Sequence, residues 1–340
     1  MGVKIGSLFP AETIAIKDLH DRIIAIDAYN VLHQFLATIR QRDGTALKNA
    51  DGNITSHLSG LFYRSANLIQ NKIRPVYVFD GKPHPLKQQT IDERNRRRLQ
   101  AEKDWKEALE KGDTARARMK AQQTSRVTED IVNQSKKLLT LLGIPYVQAP
   151  QEGEAQASYM VRKGDVYAVG SQDFDCLLIG APVLIRNLTS SSKRKLPGKK
   201  AYAPVQPERI YLNHTLDKLG ISQKQLVDMA ILIGTDFNEG IKGIGPKKSL
   251  NLIKKNGNIE NVISTVGSDT APSFDEIKKI RSLFLDPTIT DEYDLSWQTL
   301  DESEIYSFLC DEFQFSKKRV ESMIKKFEPL KEINKQQTLF

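Results

Sequence analysis

Carboxylates that follow short apolar runs are the first feature of this sequence that could do chemistry. Asp27 directly follows Ile23–Ile26, and Asp80 directly follows Val76–Phe79. Both runs are rich in β-branched or aromatic residues, which is typical of buried parallel strands. In open parallel sheets, active sites form beyond the carboxyl ends of the strands. We therefore expect these two acids to meet at one crevice.

Five further acids follow other predicted elements, namely Glu152, Glu154, Asp173, Asp175 and Asp236. The preceding elements are two strand candidates and an apolar helix, at Pro145–Ala149, Val166–Val169 and Gln225–Gly234. An acid after a strand often caps the next helix, and for Asp27 alone capping is the better interpretation. Seven converging carboxylates, however, would repel one another strongly unless cations offset their charge.

Hard divalent cations are the counterions that this set of acids favours. Mg²⁺ and Mn²⁺ prefer carboxylate and water ligands and need few protein ligands each. Two such ions, roughly 3.5–4 Å apart, stabilise the attacking and leaving oxygens of a phosphodiester. The sequence offers no obvious Ser, Cys or His triad, and its five histidines form no His-x-x-x-His pair. Cys176 and Cys310 are far apart and lack metal-ligand spacing, so we expect reduced thiols and no zinc site.

Strands and helices alternate around these acids. Helical patterns at Val31–Ile39 and Leu58–Ile69, and a further strand candidate at Val183–Leu188, complete the alternation. This arrangement predicts an α/β fold with a mainly parallel central sheet flanked by helices. From about Ile221 the chain becomes helical, with later patterns at Phe274–Phe284 and Lys317–Phe327.

A basic, helix-prone segment at residues 82–126 interrupts the alternation. It carries 13 Lys or Arg against 7 Asp or Glu, and Gly112-Asp113 is predicted to form the turn between its helices. Solvated surface helices are the usual explanation of such a charge run. Here Lys87 and Arg94 are seven residues apart and share one side of a helix, which is unusual for a purely solubilising face. Its apolar anchors are scattered, at Ile91, Leu99, Trp105 and Leu109.

A glycine-rich turn with two following lysines, Gly240 to Lys248, is the second candidate nucleic-acid contact. Such a turn exposes backbone N–H groups, and Lys247 and Lys248 add positive charge. The turn would bind phosphate without contacting bases. We therefore expect the protein to select its substrate by the shape of the DNA rather than by its sequence. The net charge of +8 favours a polyanionic partner without proving one.

The sequence also excludes several classes of protein. No apolar run approaches the roughly 20 residues of a membrane helix. The N-terminus lacks the apolar core of a signal peptide, so we expect an intracellular protein with no membrane partner. The segment Ser190–Gly198 is predicted to be an exposed loop.

Taken in order, the acidic motifs resemble the signature blocks of flap endonucleases, a family of structure-specific 5′ nucleases. The matching blocks are Ala25–Ala28, Pro75–Pro83, Gln148–Ala157, Ser171–Asp175 and Gly234–Asp236. The resemblance runs from Gly2 to the C-terminal tail and is closest to the archaeal form, for which cytoplasm or nucleoid is the expected location. It implies a PIN-like nuclease fold with a helical cap insertion and a C-terminal helical DNA-binding region.

The resemblance also implies an activity. This is cleavage of DNA at 5′ flaps, with an associated 5′-to-3′ exonuclease activity, in Okazaki fragment maturation and repair. Two Mg²⁺ ions per site, replaceable by Mn²⁺, would be held by the seven acids. Lys87 and Arg94 match the family's catalytic basic residues on the gating helix, and the nuclease itself is expected to be monomeric.

Other positions match DNA and partner contacts of the family. Arg40 and Arg64 match substrate-contacting arginines, and the carbonyls of Gly240, Ile241 and Ile244 match a K⁺ site against duplex DNA. His33 stands where the family usually carries a Tyr that stacks on a base, and a surface histidine is the alternative. The tail residues Gln336, Leu339 and Phe340 resemble a sliding-clamp motif without its usual final aromatic pair, and a frayed tail is the alternative.

This resemblance divides the chain into six segments. We expect an N-terminal nuclease region, a gateway and cap, an internal nuclease region, a duplex-binding helical hairpin, a C-terminal helical region and a clamp-binding tail, at residues 1–81, 82–130, 131–220, 221–257, 258–329 and 330–340. Two alternatives stay open. One is a related exonuclease or repair junction nuclease, and the other is a non-catalytic junction-binding protein with a nuclease fold.

Overall fold

The structure is a computed structural model, and it describes residues 2–189, 193–195, 202–266 and 271–330. The predicted clamp contacts Gln336, Leu339 and Phe340 lie outside the described residues, as does most of the predicted loop at Ser190–Gly198.

Nine strands are found in this part of the chain. They are β1 (Glu12–Thr13), β2 (Ile23–Asp27), β3 (Arg74–Phe79), β4 (Tyr146–Gln148), β5 (Ala168–Gly170), β6 (Val183–Arg186), β7 (Lys193–Lys195), β8 (Tyr202–Pro204) and β9 (Glu208–Tyr211). Seven form one sheet in the order β1-β9-β6-β5-β2-β3-β4. The pairs among β4, β3, β2, β5 and β6 are parallel, and β9 is antiparallel to β6 and β1. The predicted α/β fold with a mainly parallel sheet is therefore confirmed.

The α-helices of the described residues surround this sheet and continue beyond it. They are α1 (Ala28–Thr38), α2 (Ser56–Gln70), α3 (Gln88–Glu110), α4 (Thr114–Gln122), α5 (Glu129–Leu141), α6 (Gly153–Lys163), α7 (Asp175–Ile179), α8 (Leu212–Leu219), α9 (Gln223–Ile233), α10 (Pro246–Asn256), α11 (Ile259–Val266), α12 (Phe274–Leu285), α13 (Glu302–Tyr306) and α14 (Lys317–Ile324). Short 3-10 turns occur at Gly6–Leu8, Ile16–Leu19, Pro85–Lys87 and Lys325–Phe327, and a π-helical turn at Ser307–Glu312.

The central strands are buried on both faces, which explains their continuous apolar runs. Ile24, Ala25 and Ile26 of β2 have no exposed surface, and neither do Val76, Tyr77 and Val78 of β3. The Tyr77 hydroxyl is satisfied by a 2.9 Å hydrogen bond with Ser65 of α2. This packing fixes the strand ends, and with them the acids that follow.

The basic segment forms a hairpin of two helices, α3 and α4, joined at the predicted turn. Asp113 begins α4 by accepting a 2.9 Å hydrogen bond from the Arg116 backbone N–H. The buried residues of both helices are alanines, namely Ala101, Ala108, Ala117 and Ala121. The expectation that Leu99 and Leu109 are anchors is wrong, because 62% and 38% of their surfaces are exposed. Alanines let helices approach closely, and the two leucines point outward.

One loop expectation is also corrected. Lys193–Lys195 pairs antiparallel with Tyr202–Pro204, so this part of the predicted exposed loop is a strand. Antiparallel pairing of two segments close in sequence satisfies backbone groups that an irregular loop would leave to water. Within the described residues, no helix is both long and apolar enough to span a bilayer.

Candidate active site

The carboxyl ends of four neighbouring strands share one edge of the sheet. Because β5, β2, β3 and β4 are adjacent and parallel, the residues that follow them emerge side by side. A cavity of about 610 Å³ opens there. All seven predicted acids line it, namely Asp27, Asp80, Glu152, Glu154, Asp173, Asp175 and Asp236. The four-strand edge thus brings together residues that are up to 148 positions apart in the chain (27 to 175), and Asp236 joins them from the turn after α9.

Close backbone approach holds the strand ends together. Gly81 N donates to the Gln151 carbonyl at 2.6 Å, which ties the residue after Asp80 to the loop after β4. Gly153 N donates to Asp80 Oδ1 at 2.6 Å. A Cβ at position 153 would lie 2.8 Å from the same Asp80 oxygen. A glycine is therefore needed to bring the start of α6, with Glu152 and Glu154, against Asp80.

Asp27 caps a helix and also lines the cavity. Its Oδ1 accepts a 2.9 Å hydrogen bond from Asn30 N and caps α1. Its Oδ2 lies 3.4 Å from the Ser171 hydroxyl, on the cavity side. The cap therefore orients the carboxylate without using both oxygens.

The neighbouring acids are oriented by short polar contacts. Asp173 Oδ1 accepts from Gly2 N at 3.1 Å, and its Oδ2 accepts from Asn30 Nδ2 at 3.0 Å. Asp175 Oδ1 accepts from Val3 N at 2.9 Å. These contacts bring the N-terminal segment and the first turn of α1 into the site. The roles of Gly2, Val3 and Asn30 were not predicted from the sequence. The only signal available was that Asn30 lies three residues after Asp27.

Burial and crowding disfavour negative charge on these carboxyls. Burial, together with the Asp80 carboxylate, raises the pKa of Asp27 to about 8. Burial and Glu152 raise the pKa of Asp80 to about 6. Burial and Asp173 raise the pKa of Asp175 to about 7, and burial with Asp175 raises the pKa of Glu154 well above its usual range. The cavity therefore concentrates oxygen ligands whose charges favour a bound cation.

Two basic side chains already contact this acidic cavity. Lys87 Nζ forms an ion pair with Glu152 and lies 3.8 Å from Asp236 Oδ2. Arg94 donates to both oxygens of Asp236, at 2.7 and 2.6 Å. Burial favours neutral Lys87, but the Glu152 and Asp80 carboxylates outweigh burial and raise its pKa. The 3-10 turn and the start of α3 thus place both predicted catalytic cations over the acids.

The donor set fits hard divalent cations, although it is not a closed cage. Among the residues that the structure describes, no three His, Cys, Asp or Glu side chains form a group that could hold an ion by themselves. Mg²⁺ retains several waters and takes only one or two carboxylates directly, so it does not require such a cage. A set of carboxylate oxygens is the chemistry that such an ion prefers.

His33 lines the same cavity on the inner side of α1. Burial, together with the positive charge of Arg98, lowers the pKa of His33 to about 4. The ring is therefore neutral at ordinary pH, and a neutral imidazole can stack on a base as a tyrosine ring does.

The two predicted substrate arginines are partly engaged with the protein itself. Arg40 donates to the carbonyls of Leu36 and Gly44, at 2.7 and 2.9 Å, and its NH2 lies 3.5 Å from the Thr124 hydroxyl. Arg40 therefore joins the end of α1 to the loop after α4. Arg64 lies half-buried on α2, and burial lowers its pKa.

The glycine-rich turn connects α9 to α10 in a compact hairpin. Gly240 and Gly243 have positive φ angles of 73° and 82°. A Cβ at Gly240 would lie 2.4 Å from Gly234 N, so this position needs a glycine for space as well as for conformation. Ile241 and Ile244 are buried, at 6% exposure each, which anchors the turn and fixes the backbone around it. Lys247 and Lys248 are exposed in the first turn of α10.

Comparison with known proteins agrees with this architecture. Residues 2–101 match the XPG N-terminal domain, and residues 143–236 match the XPG I-region. The chain is 48% identical over 340 residues to flap endonuclease 1 of Thermococcus onnurineus, covering 100% of this chain and 98% of the relative. It is 49% identical to flap endonuclease 1 of Pyrococcus abyssi, with 100% and 97% coverage.

Solved structures give the same result. Flap endonuclease-1 from Methanococcus jannaschii superposes with a TM-score of 0.76 at 42% identity, covering 96% of this chain and 98% of that one. The catalytic core of Rad2 in complex with DNA substrate superposes with a TM-score of 0.68 at 25% identity, with 95% and 97% coverage. The curated relatives are almost 50% identical to this chain and match it over nearly its whole length. The chain therefore belongs to the flap endonuclease family.

Proposed function

We propose that this protein is a structure-specific nuclease that hydrolyses DNA at 5′ flaps, with an associated 5′-to-3′ exonuclease activity. The observation that carries the proposal is the cavity at the sheet edge, where seven acids and two cations converge. Full-length identity to flap endonucleases supports the choice of substrate. On this basis the protein would act in Okazaki fragment maturation and repair, inside the cell.

Mg²⁺ is the proposed cofactor, with two ions per site and Mn²⁺ as a substitute. When bound, such ions activate water and stabilise charge on the oxygens of the phosphodiester. Asp27, Asp80, Glu154 and the remaining cavity acids would hold them. Carboxylates that are costly to ionise without a counterion support this assignment.

The protein's own cations have a separate role in the proposed reaction. Lys87 and Arg94 reach into the cavity from the start of α3, within contact distance of Glu152 and Asp236. A scissile phosphate placed against the acids would meet both side chains. Their positive charge would then stabilise the negative charge that develops on the phosphate oxygens during hydrolysis.

Duplex binding is proposed for the α9–α10 hairpin. Its exposed Lys247 and Lys248 would contact phosphates, and the carbonyls of Gly240, Ile241 and Ile244 would hold K⁺ against the duplex. His33 would stack on a base near the cut, and Arg40 and Arg64 would contact the substrate. The six segments assigned from sequence describe this division of labour, with a monomeric nuclease and a clamp-binding tail at Gln336, Leu339 and Phe340.

The test is a cleavage assay on a 5′-flap substrate with and without Mg²⁺. Matched substrates are a plain duplex, a nicked duplex and a four-way junction of the same sequence. We expect rapid incision of the flap that EDTA abolishes and Mn²⁺ restores. Tight junction binding without cleavage in either metal would identify a non-catalytic binder. Preferential cutting of another substrate would identify a related junction nuclease or exonuclease.

A further inference from the structure

A tight turn between α9 and the glycine-rich turn carries Asp236 at its tip. We call residues 235–239 the Asp236 turn. It is closed by a 2.9 Å hydrogen bond from Thr235 N to the Asn238 carbonyl. Phe237 N donates to the Thr235 hydroxyl at 3.0 Å, and Asn238 Nδ2 donates to the Ile231 carbonyl at 2.8 Å. These hydrogen bonds hold the turn against the end of α9.

The first turns of α3 dock on this unit. Thr90 Oγ1 donates to the Asp236 carbonyl at 2.8 Å, and Gln89 Nε2 donates to Glu239 Oε1 at 2.7 Å. Arg94 completes the contact through the Asp236 carboxylate. The Asp236 turn therefore determines where the start of α3 lies over the cavity. The same contact determines the positions of Lys87 and Arg94.

Phe237 projects from this turn between two other aromatic rings. Its ring centroid lies 6.4 Å from that of His84, at an interplanar angle of 86°. On the other side it lies 5.6 Å from the Phe284 ring of α12, at 75°. Both are edge-to-face arrangements, which aromatic pairs prefer. His84 in turn begins the 3-10 turn that carries Lys87, and its carbonyl accepts from Lys87 N at 2.9 Å.

The far end of this aromatic row is fixed to the duplex-binding hairpin. Arg281, three residues before Phe284 on α12, donates to Asp228 Oδ1 of α9 at 2.9 and 2.7 Å. It also bonds Glu260 of α11 at 2.9 Å. The Asp228 side chain is only 1% exposed, so this ion pair is an internal connection between α9 and α12.

We propose that Phe237 is a positioning residue for the nuclease reaction. Phe237 lines the cavity beside Asp236, and in this proposal it acts through other side chains rather than directly on the phosphate. Through His84 and Phe284 it holds the base of α3 in place, so that Lys87 meets the phosphate only when α12 and the duplex-binding hairpin are in position. This inference rests on the proposed function, because it assigns Phe237 a role in that same cleavage reaction.

Single-turnover cleavage of a 5′ flap with enzyme in excess tests the proposal. Small displacements of a catalytic group cost up to about 100-fold in rate, so Phe237→Ala should slow cleavage by about 10- to 100-fold. The dissociation constant for the flap should change by less than about 2-fold, since no phosphate contact is removed. Phe274→Ala is the matched control, because Phe274 lies on α12 with 57% of its surface exposed.

A double-mutant cycle distinguishes positioning from general damage. In a background with both Lys87→Ala and Arg94→Ala, Phe237→Ala should add less than about 2-fold, because the groups that it positions are already gone. A full additional loss in that background would overturn the proposal, as would a wild-type rate for Phe237→Ala or an equal loss of affinity.

A second variant tests the proposal if Phe237→Ala does not fold. Phe237→Leu keeps most of the side-chain volume but removes the ring edges, and it should slow cleavage by about 3- to 10-fold at unchanged affinity. A wild-type rate for a folded Phe237→Leu would overturn the role of the ring. If the wild-type protein itself fails to cut flaps, the proposed function fails, and that result is distinct from the other outcomes.

Discussion

Replacing Asp27 with Asn should stabilise the metal-free protein at alkaline pH while abolishing cleavage. Asp27 caps α1 through one oxygen, and Asn is an equally good capping residue. The side chain is 7% exposed and lies among other carboxylates, so its negative charge is costly in the folded state. The Asp27→Asn substitution would keep the cap and remove the charge.

The sign and size of this change in stability follow from the pKa of Asp27. Burial and Asp80 raise the pKa of Asp27 from 3.8 to about 8, so the folded state binds a proton that the unfolded state has lost over this range. Stability must therefore fall as pH rises from about 4 to about 8. At about 1.4 kcal/mol per pH unit, the upper bound is about 6 kcal/mol. Neighbouring acids share the proton and relieve part of this cost. We therefore expect Asp27→Asn to raise the free energy of unfolding by about 1–3 kcal/mol at alkaline pH.

Thermal unfolding in EDTA measures this effect. For a chain of this size, about 1–3 kcal/mol corresponds to a gain of about 1–4 °C in Tm at pH 8.5. The gain should shrink toward zero only below about pH 4, where Asp27 is protonated in the unfolded state as well as in the folded state. Asp217→Asn is the control, because Asp217 lies exposed on α8. Added Mg²⁺ should raise the Tm of the wild type more than that of Asp27→Asn.

An Asp27→Asn protein that is less stable than wild type at pH 8.5 would refute the reasoning. So would a stability difference that does not depend on pH. Either result would mean that the carboxylate contributes more through its hydrogen bonds than it costs through charge crowding. Retained cleavage by this variant would separately remove Asp27 from the proposed metal ligands.

Further variants separate chemistry from binding. Asp173→Ala should abolish cleavage and leave flap affinity equal or higher, because it removes negative charge near a polyanion; turnover near the wild-type rate in Mg²⁺ would exclude it as a ligand. Lys87→Ala and Arg94→Ala should lower the single-turnover rate far more than the affinity. Lys247→Ala with Lys248→Ala should do the reverse and reduce the salt dependence of binding by about one phosphate contact per lysine; similar effects of both pairs on rate and affinity would contradict this division. Hydrogen exchange in α3 and α4 should slow on adding flap DNA and much less on adding plain duplex, whereas equal exchange with and without the flap would contradict ordering of the cap by substrate.

The sequence was enough to predict the parallel strands β2 to β6 and the acids that follow them, but not the antiparallel strands β9 and β1. Runs such as Ile23–Ile26 are short, apolar and rich in β-branched residues, as expected of a strand buried on both faces. Six of the acids were visible because each follows such a run within a few residues. They converge because neighbouring strands pair in parallel, which alternation with helices predicts, and Asp236 joins them from the turn after α9.

Contacts between distant segments were not predictable in the same way. The bond from Gly2 N to Asp173 joins residues 171 positions apart, and neither belongs to a local pattern that reveals the other. Phe237 was passed over because a single aromatic residue after an acid has no periodic signal. Leu99 was misjudged because hydrophobicity alone does not say which face of a basic helix meets its neighbour.

The alanines buried in α3 and α4 have a consequence for which substitutions this pair of helices tolerates. Ala117 and Ala121 are fully buried, and a Cβ at Gly44 would lie only 2.7 Å from that of Ala121. Protein interiors are close-packed, so a larger side chain at any of these positions has to displace a neighbouring segment. The distance between α4 and the loop after α1 is therefore set by a few small residues that do not line the acidic cavity.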